Sequence, residues 1–229
     1  MLREHPPLEL SEFLRYLASH DGSVNGDFPT LTDISTEIGV SVASLREQLE
    51  VARALGLVEV KPRVGIRRLP FTFLPAVRQS LGYAVALDEK NFRLFADLRK
   101  HTETAYWHEA VKLLTADDIT QLQAIISRAW TKLKGNPIQI PHDEHKQLHL
   151  QIYKRLNNPF VTGILEAYWE AYEAIGLNVF TDYKYLTDVW HYHEKMVAAI
   201  KSKEYDKGYK ALLEHTDMLS ELLDLHPDK

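Results

Sequence analysis

The chain has 229 residues, 45% of them hydrophobic and 26% charged, with a formal net charge of -5. That is ordinary globular material, enough for a real core in one large or two small domains. The absence of cysteine excludes a disulfide framework and a thiolate metal site, and the acidic balance excludes a uniformly basic nucleic-acid binder, so any basic surface must be local.

Residues 8–19 carry Leu10, Leu14, Leu17 and Ala18 at helical spacing. Residues 20–30, HDGSVNGDFPT, have loop composition. A short helix follows over residues 32–38, with Thr32 as its expected N-cap and Gly39 ending it. Ser41 caps a further helix that runs to about Leu55, where Gly56 stops it. Residues 57–61 alternate as a strand, residues 62–65 make a turn, and residues 66–69 form a second strand. From about Leu74 onward only helical periodicity remains. Its breaks fall at residues 87–88, 115–116, 135–141, 157–159, 181–182 and 202–205, which leaves six or seven helices. The expected fold is therefore mainly α. Residues 1–70 form a winged helix-turn-helix, and residues 71–229 form an all-α helical bundle. The N-terminus has no apolar run resembling a signal peptide and no stretch reaches transmembrane length, so a cytoplasmic, nucleoid-associated protein is expected, with no membrane partner.

Four histidines fall on inward helix faces. His145 and His149 are four apart, on the side that carries Leu148, Ile152, Tyr153 and Leu156. His193 lies in a stripe of Leu186, Val189, Trp190, Met196, Val197 and Ile200. His215 lies among Ala211, Leu212, Met218, Leu219 and Leu222. A single apolar-face histidine is usually a hydrogen-bonded core residue. Four would each need a partner or remain desolvated without one, whereas one shared cation satisfies all of them. His191 points roughly 200° away from His193 on the same helix, and His142 could approach only from a helix end.

Two short helices joined through a Gly, the second capped by Ser41, are the skeleton of a helix-turn-helix. The hairpin after them carries Lys61, Arg63, Arg67 and Arg68, with no acid between Lys61 and Arg68. A basic hairpin in that place can grip phosphates. Residues 28–68, FPTLTDISTEIGVSVASLREQLEVARALGLVEVKPRVGIRR, resemble the winged-helix signature of the GntR family of bacterial transcription regulators, without a gap. FADLRKHTETA, HKQLHLQIYKRLNNPF and HEKMVAAIKSKEYDKGYKALLEH resemble the FCD effector domain of that family's FadR-like branch.

The resemblance implies a homodimer on a two-fold related double-stranded operator. Ser41, Ala43, Ser44 and Arg46 would face the DNA, and Arg63, Gly65, Arg67 and Arg68 would work the wing. It also implies a divalent metal, zinc before nickel, beside a small carboxylate effector. His149, His193 and His215 fall at three ligand positions, and His145 stands where the family has an Asp. Arg99 and Asn158 are the implied effector contacts. Val42 replaces an Arg common in relatives, and Leu31 and Thr32 replace a Glu-Arg pair. Two other readings remain open at this stage: a His-rich bundle metalloenzyme with an open coordination position, and a regulator whose His cluster is purely structural.

Overall fold

The computed structural model describes residues 9–20, 28–62, 64–177 and 182–225, with side chains as far as Met218. Two compact units emerge, Met1–Ala76 and Val77–Lys229.

In the first unit, α1 (Glu12–Ser19), α2 (Leu31–Ile38) and α3 (Val42–Ala54) precede a hairpin of β1 (Val58–Lys61) and β2 (Gly65–Arg68). The antiparallel register places Glu59 opposite Arg67 and Val60 opposite Ile66. Helix α1 is shorter than its sequence suggests and turns a different face inward. Ser11 caps it, accepting from the Leu14 amide, and Phe13, Tyr16 and Leu17 are buried while Leu10 is exposed. The two aromatics at i and i+3 outweigh the leucine stripe because they bury more area. Thr30, not Thr32, caps α2. Its hydroxyl accepts from the Asp33 amide while the Asp33 carboxylate accepts from the Thr30 amide, a capping box that Thr32 cannot close. Gly39 then ends α2 at φ 72°, a left-handed conformation that Gly adopts without strain. Ser41 caps α3 by accepting from the Ser44 amide. Ile34, Leu45, Leu49, Ala52 and Val58 join the α1 residues in a small apolar core.

The second unit is built from α4 (Leu74–Leu87), α5 (Lys90–Leu113), α6 (Ala116–Leu133), α7 (His142–Tyr153), α8 (Pro159–Ala174), α9 (Tyr183–Ser202) and α10 (Tyr205–Leu225), with a short 3-10 turn, Lys154–Leu156, after α7. Seven α-helices among the described residues is the upper of the two numbers expected. The break at residues 181–182 lies partly outside the described residues, as does most of the loop at residues 20–30. Thr115 and Asp118 form the capping box of α6, and Asn158 caps α8 ahead of Pro159. The bundle core runs through Trp107, Leu122, Ile126, Leu133, Leu148, Ile152, Trp190, Met196 and Leu212. A Cβ at Gly208 would lie 2.6 Å from Trp107 and 3.3 Å from the Ala199 Cβ. The bare backbone there lets α10 close onto Trp107 of α5 and Ala199 of α9. No helix among the described residues is long and apolar enough to cross a membrane.

Candidate functional site

Helix α7 carries His145 and His149 one turn apart, α9 carries His193 and α10 carries His215. The fold brings all four together, with one ring nitrogen from each lying within 4.8 Å of the others. The Nε2 atoms of His149 and His193 are 3.2 Å apart. Ring centres lie 4.6 Å apart for His145–His193, 4.3 Å for His193–His215 and 5.2 Å for His149–His215. His149, His193 and His215 are buried and His145 partly so. Three ring nitrogens, His145 Nε2, His193 Nδ1 and His215 Nδ1, are buried without a hydrogen-bond partner.

Burial pushes His145, His193 and His215 well below the ordinary imidazole value, and neighbouring imidazoles, His149 among them, together with the Arg99 guanidinium push the same way. His149 is lowered too, by burial first, against the opposing pull of Glu103. The cluster is therefore neutral at pH 7, the state in which imidazole binds a metal. The donor set fits a borderline divalent cation: four imidazoles, no thiolate, and one nitrogen from each ring within 4.8 Å of the others.

Beside the cluster lies a pair of buried charges. Arg99 and Glu103 are one turn apart on α5, 3% and 0% exposed, and ion-paired at 3.0 Å. Burial alone would raise Glu103, but Arg99 and His149 outweigh it and hold the carboxylate below its ordinary range. Glu103 Oε1 lies 2.9 Å from His149 Nδ1, and Arg99 Nη2 lies 2.8 Å from the same nitrogen. The guanidinium sits 4.5 Å over the Tyr168 ring and 5.3 Å from Trp169. Arg99 Nε and Trp169 Nε1 are buried without hydrogen-bond partners. Phe92 and Tyr172 complete this aromatic wall. Burial pushes the Tyr168 phenol up to about 12, so it stays neutral.

Glu103 is the site residue to which the sequence reading gave no role. A signal for it was present. Phe92, Arg99, Glu103, Trp107 and Val111 recur at helical spacing on one buried face of α5, so a charged pair interrupts an apolar stripe.

The remaining candidates have other partners. Asn158, expected as an effector contact, caps α8, its side-chain oxygen accepting from the amides of Phe160 and Val161. His191 is exposed beside Glu194 and Trp130. His142 stacks on Tyr172 and meets Glu173 at 3.0 Å. Asp143 is exposed, while Glu144 is buried and pairs with Lys132 at 2.8 Å, so the two acids flanking His145 are not part of the cluster.

In the head, Ala43 and Arg46 are exposed on α3, and Arg46 makes no hydrogen bond or ion pair among the described residues. Ser41 and Ser44 are engaged in the helix cap, where the Ser44 hydroxyl also accepts from Gln48. The wing is less free than its sequence implies. Glu59 pairs with Lys61 on its own strand and with Arg67 across the ladder, and Arg68 Nη1 donates to the His20 carbonyl at 3.0 Å. Gly65 opens β2 at φ 87°. Arg63 lies outside the described residues.

A family model described as the FCD domain matches residues 95–218. A "Uxu operon regulator" of Haemophilus influenzae is 24% identical over 202 residues, spanning 85% of this chain and 73% of the relative. Among solved structures, a Streptococcus agalactiae GntR superposes with a TM-score of 0.65 at 15% identity, over 90% of this chain and 95% of the other. The E. coli McbR/YncC gives 0.53 at 19% identity, over 87% of each chain. At these identities the superpositions bear on the fold alone.

Proposed function

This chain belongs to the FCD domain family, and we propose that it is a GntR-type, metal-dependent transcription regulator rather than an enzyme, whose bundle binds a small carboxylate effector. Residues 1–70 act as the DNA-binding domain, and residues 71–229 act as the effector-binding and dimerisation domain. The homodimer meets a two-fold related operator, as paired helix-turn-helix heads do. Arg46 of α3 reaches base edges or phosphates, assisted by Ser41, Ala43 and Ser44. Arg63, Gly65, Arg67 and Arg68 hold the flanking backbone.

The observation that carries the metal reading is the set of unpartnered ring nitrogens in the four-histidine cluster. Buried polar groups are normally paired, and a cluster in which four imidazoles each bring a nitrogen within 4.8 Å of the others while three ring nitrogens have no partner is expensive without a ligand. His145, His149, His193 and His215 would hold a divalent cation, zinc ahead of nickel. Bound there, the cation supplies a Lewis-acidic position that can accept a carboxylate oxygen. Arg99 and Glu103 cancel each other's charge, and four neutral imidazoles supply none. The two positive charges of the cation therefore stay uncompensated inside the bundle, and an anion relieves them. Arg99 supplies the planar fork that pairs with a carboxylate, and its unpartnered Nε is a donor still to be used. Tyr168, Trp169 and Tyr172 give that anion's carbon skeleton a flat apolar wall.

The purely structural alternative predicts no metal. Elemental analysis of protein purified without chelator, with anomalous scattering recorded at the zinc edge from its crystals, separates the two. One metal per chain centred on the four imidazoles is expected. A metal-free cluster that binds no added zinc or nickel would overturn the reading.

A further inference from the structure

Arg99 and Glu103 make incompatible demands on one nitrogen. Arg99 Nη2 can only donate, and it lies 2.8 Å from His149 Nδ1. Glu103 Oε1 can only accept when ionised, and it lies 2.9 Å from that same Nδ1. A neutral imidazole carries one ring proton. With the proton on Nε2, Nδ1 has a lone pair that takes the Arg99 hydrogen bond, and Nε2–H points at His193 Nε2, 3.2 Å away. With the proton on Nδ1, that hydrogen goes to Glu103, Nε2 presents its lone pair to the cluster, and Arg99 loses its acceptor on the ring.

We propose that Glu103 is the positioning residue that sets His149 for metal binding, and that Arg99 is displaced from His149 Nδ1 when it does so. The inference rests on the reading that His149 is a metal ligand through Nε2, the nitrogen that faces His193. A ligating nitrogen must offer a lone pair, so a cation on the cluster excludes the tautomer that Arg99 favours. The Nε2 proton is given to water and one is taken from water at Nδ1, so the imidazole neither gains nor loses charge and no net proton is exchanged. Glu103 accepts the new N–H, giving the carboxylate–histidine support common behind metal ligands. The Arg99 Nη2 hydrogen formerly spent on the ring becomes available, beside an Nε that already has no partner. Metal loading thus frees the donor that the acid effector needs. The two ligands are coupled through one imidazole, before any contact between effector and metal is counted.

The test uses the full-length protein with 15N-labelled histidine. Two-bond 1H–15N spectra report which nitrogen of His149 carries the proton, with zinc and after chelation. In the zinc-loaded protein Nδ1 is expected to be protonated. Zinc affinity, measured against a chromophoric chelator, should then respond in opposite directions to the two neighbours. Glu103→Gln is expected to weaken zinc about 10–100-fold, the usual cost of removing support behind a ligand. Arg99→Met is expected to leave it unchanged or tighter, because it removes a competitor and a nearby positive charge. If Arg99→Met does not fold by circular dichroism, Arg99→Lys, which leaves a cation for Glu103 but no planar fork, takes its place, with zinc affinity expected to be unchanged.

An Nε2-protonated His149 in the zinc form overturns the inference. So does a Glu103→Gln protein that holds zinc as tightly as the parent, or an Arg99 variant that loses zinc as Glu103→Gln does, which is what a merely structural role predicts. A parent protein that binds no zinc at all overturns both this inference and the metal reading beneath it, and an Nε2-protonated His149 removes His149 Nε2 from the ligands while the metal site stands, whereas the affinity outcomes leave that reading whole.

Discussion

The head and the bundle bury different kinds of side chain. The head's core is Phe13, Tyr16, Leu17, Ile34, Leu45, Leu49, Ala52 and Val58, and no charged side chain of the described head is buried with them. The bundle buries Arg99, Glu103, Asp118, Glu144, His149, His193 and His215. Asp118 and Glu144 are answered conventionally, by Lys154 and Arg155 in one case and Lys132 in the other. His145 Nε2, His193 Nδ1, His215 Nδ1 and Arg99 Nε are not answered. The same chain that fills one core with plain hydrophobes leaves polar atoms unpaired in the other. Desolvation makes that costly, so polar burial without partners is expected only where a ligand completes the set.

The largest expected effect separates the two units outright. His193→Ala or His215→Ala should reduce bound metal from one per chain to near zero by elemental analysis, a larger loss than the about 10–100-fold of a supporting residue. His145→Ala should cost least of the four, since that residue is the least buried of them. Each variant should leave the head's amide protection unchanged. Stoichiometric metal retained in the His193 or His215 variant would erase the contrast.

Acid should also act on one unit and spare the other. In the metal-free protein the native cluster histidines sit below 6.5 while the unfolded chain titrates near that value. Between the two, the unfolded state binds more protons, so stability is fully present above about 6.5 and is lost as pH falls from there toward the native values. Hydrogen exchange on the full chain, corrected for intrinsic rates, should show protection in α7, α9 and α10 falling between pH 7 and 5. Helices α1 to α3 should hold theirs, because the described head buries no histidine. Equal loss in both units would break the comparison.

The head's contribution is read at its surface. Arg46→Ala should weaken a selected operator by about 1–3 kcal/mol if the side chain reads a base edge, and change the sequence preference with it. Arg67→Ala and Arg68→Ala should weaken all duplexes alike, and by less, because both arginines already have partners within the head. The smallest effect is expected from Glu59→Gln. Freeing Lys61 and Arg67 should tighten non-specific binding slightly and steepen its salt dependence. Weaker binding from that change would show that the pairing shapes the wing for DNA.

Much of this was legible in the sequence because the signals were local. Gly39, Ser41 and Gly56 marked the head's helix ends, and the breaks after Leu87, near Thr115 and at Pro159 marked those of the bundle. The four histidines could be grouped because each sat inside an apolar stripe. What escaped was non-local or competitive. The choice between Thr30 and Thr32 depended on which of them could reach Asp33. The inward face of α1 depended on what Phe13 and Tyr16 would meet. The partnership of Glu59 with Arg67 is a register, and the role of Glu103 is a contact across 46 residues of chain. The stripe on α5 showed that a charged pair was buried, but only the fold showed that its neighbour was His149.

The central claim is that the histidine cluster and Arg99 form one acid-binding site that needs its metal. Calorimetric titration of acetate, succinate and citrate into zinc-loaded and chelator-stripped full-length protein tests it most directly. At least one acid should bind the loaded form, and binding to the stripped form should be weaker by tenfold or more. Equal affinity in both forms, or preference for an uncharged amide analogue over every acid, would contradict the account.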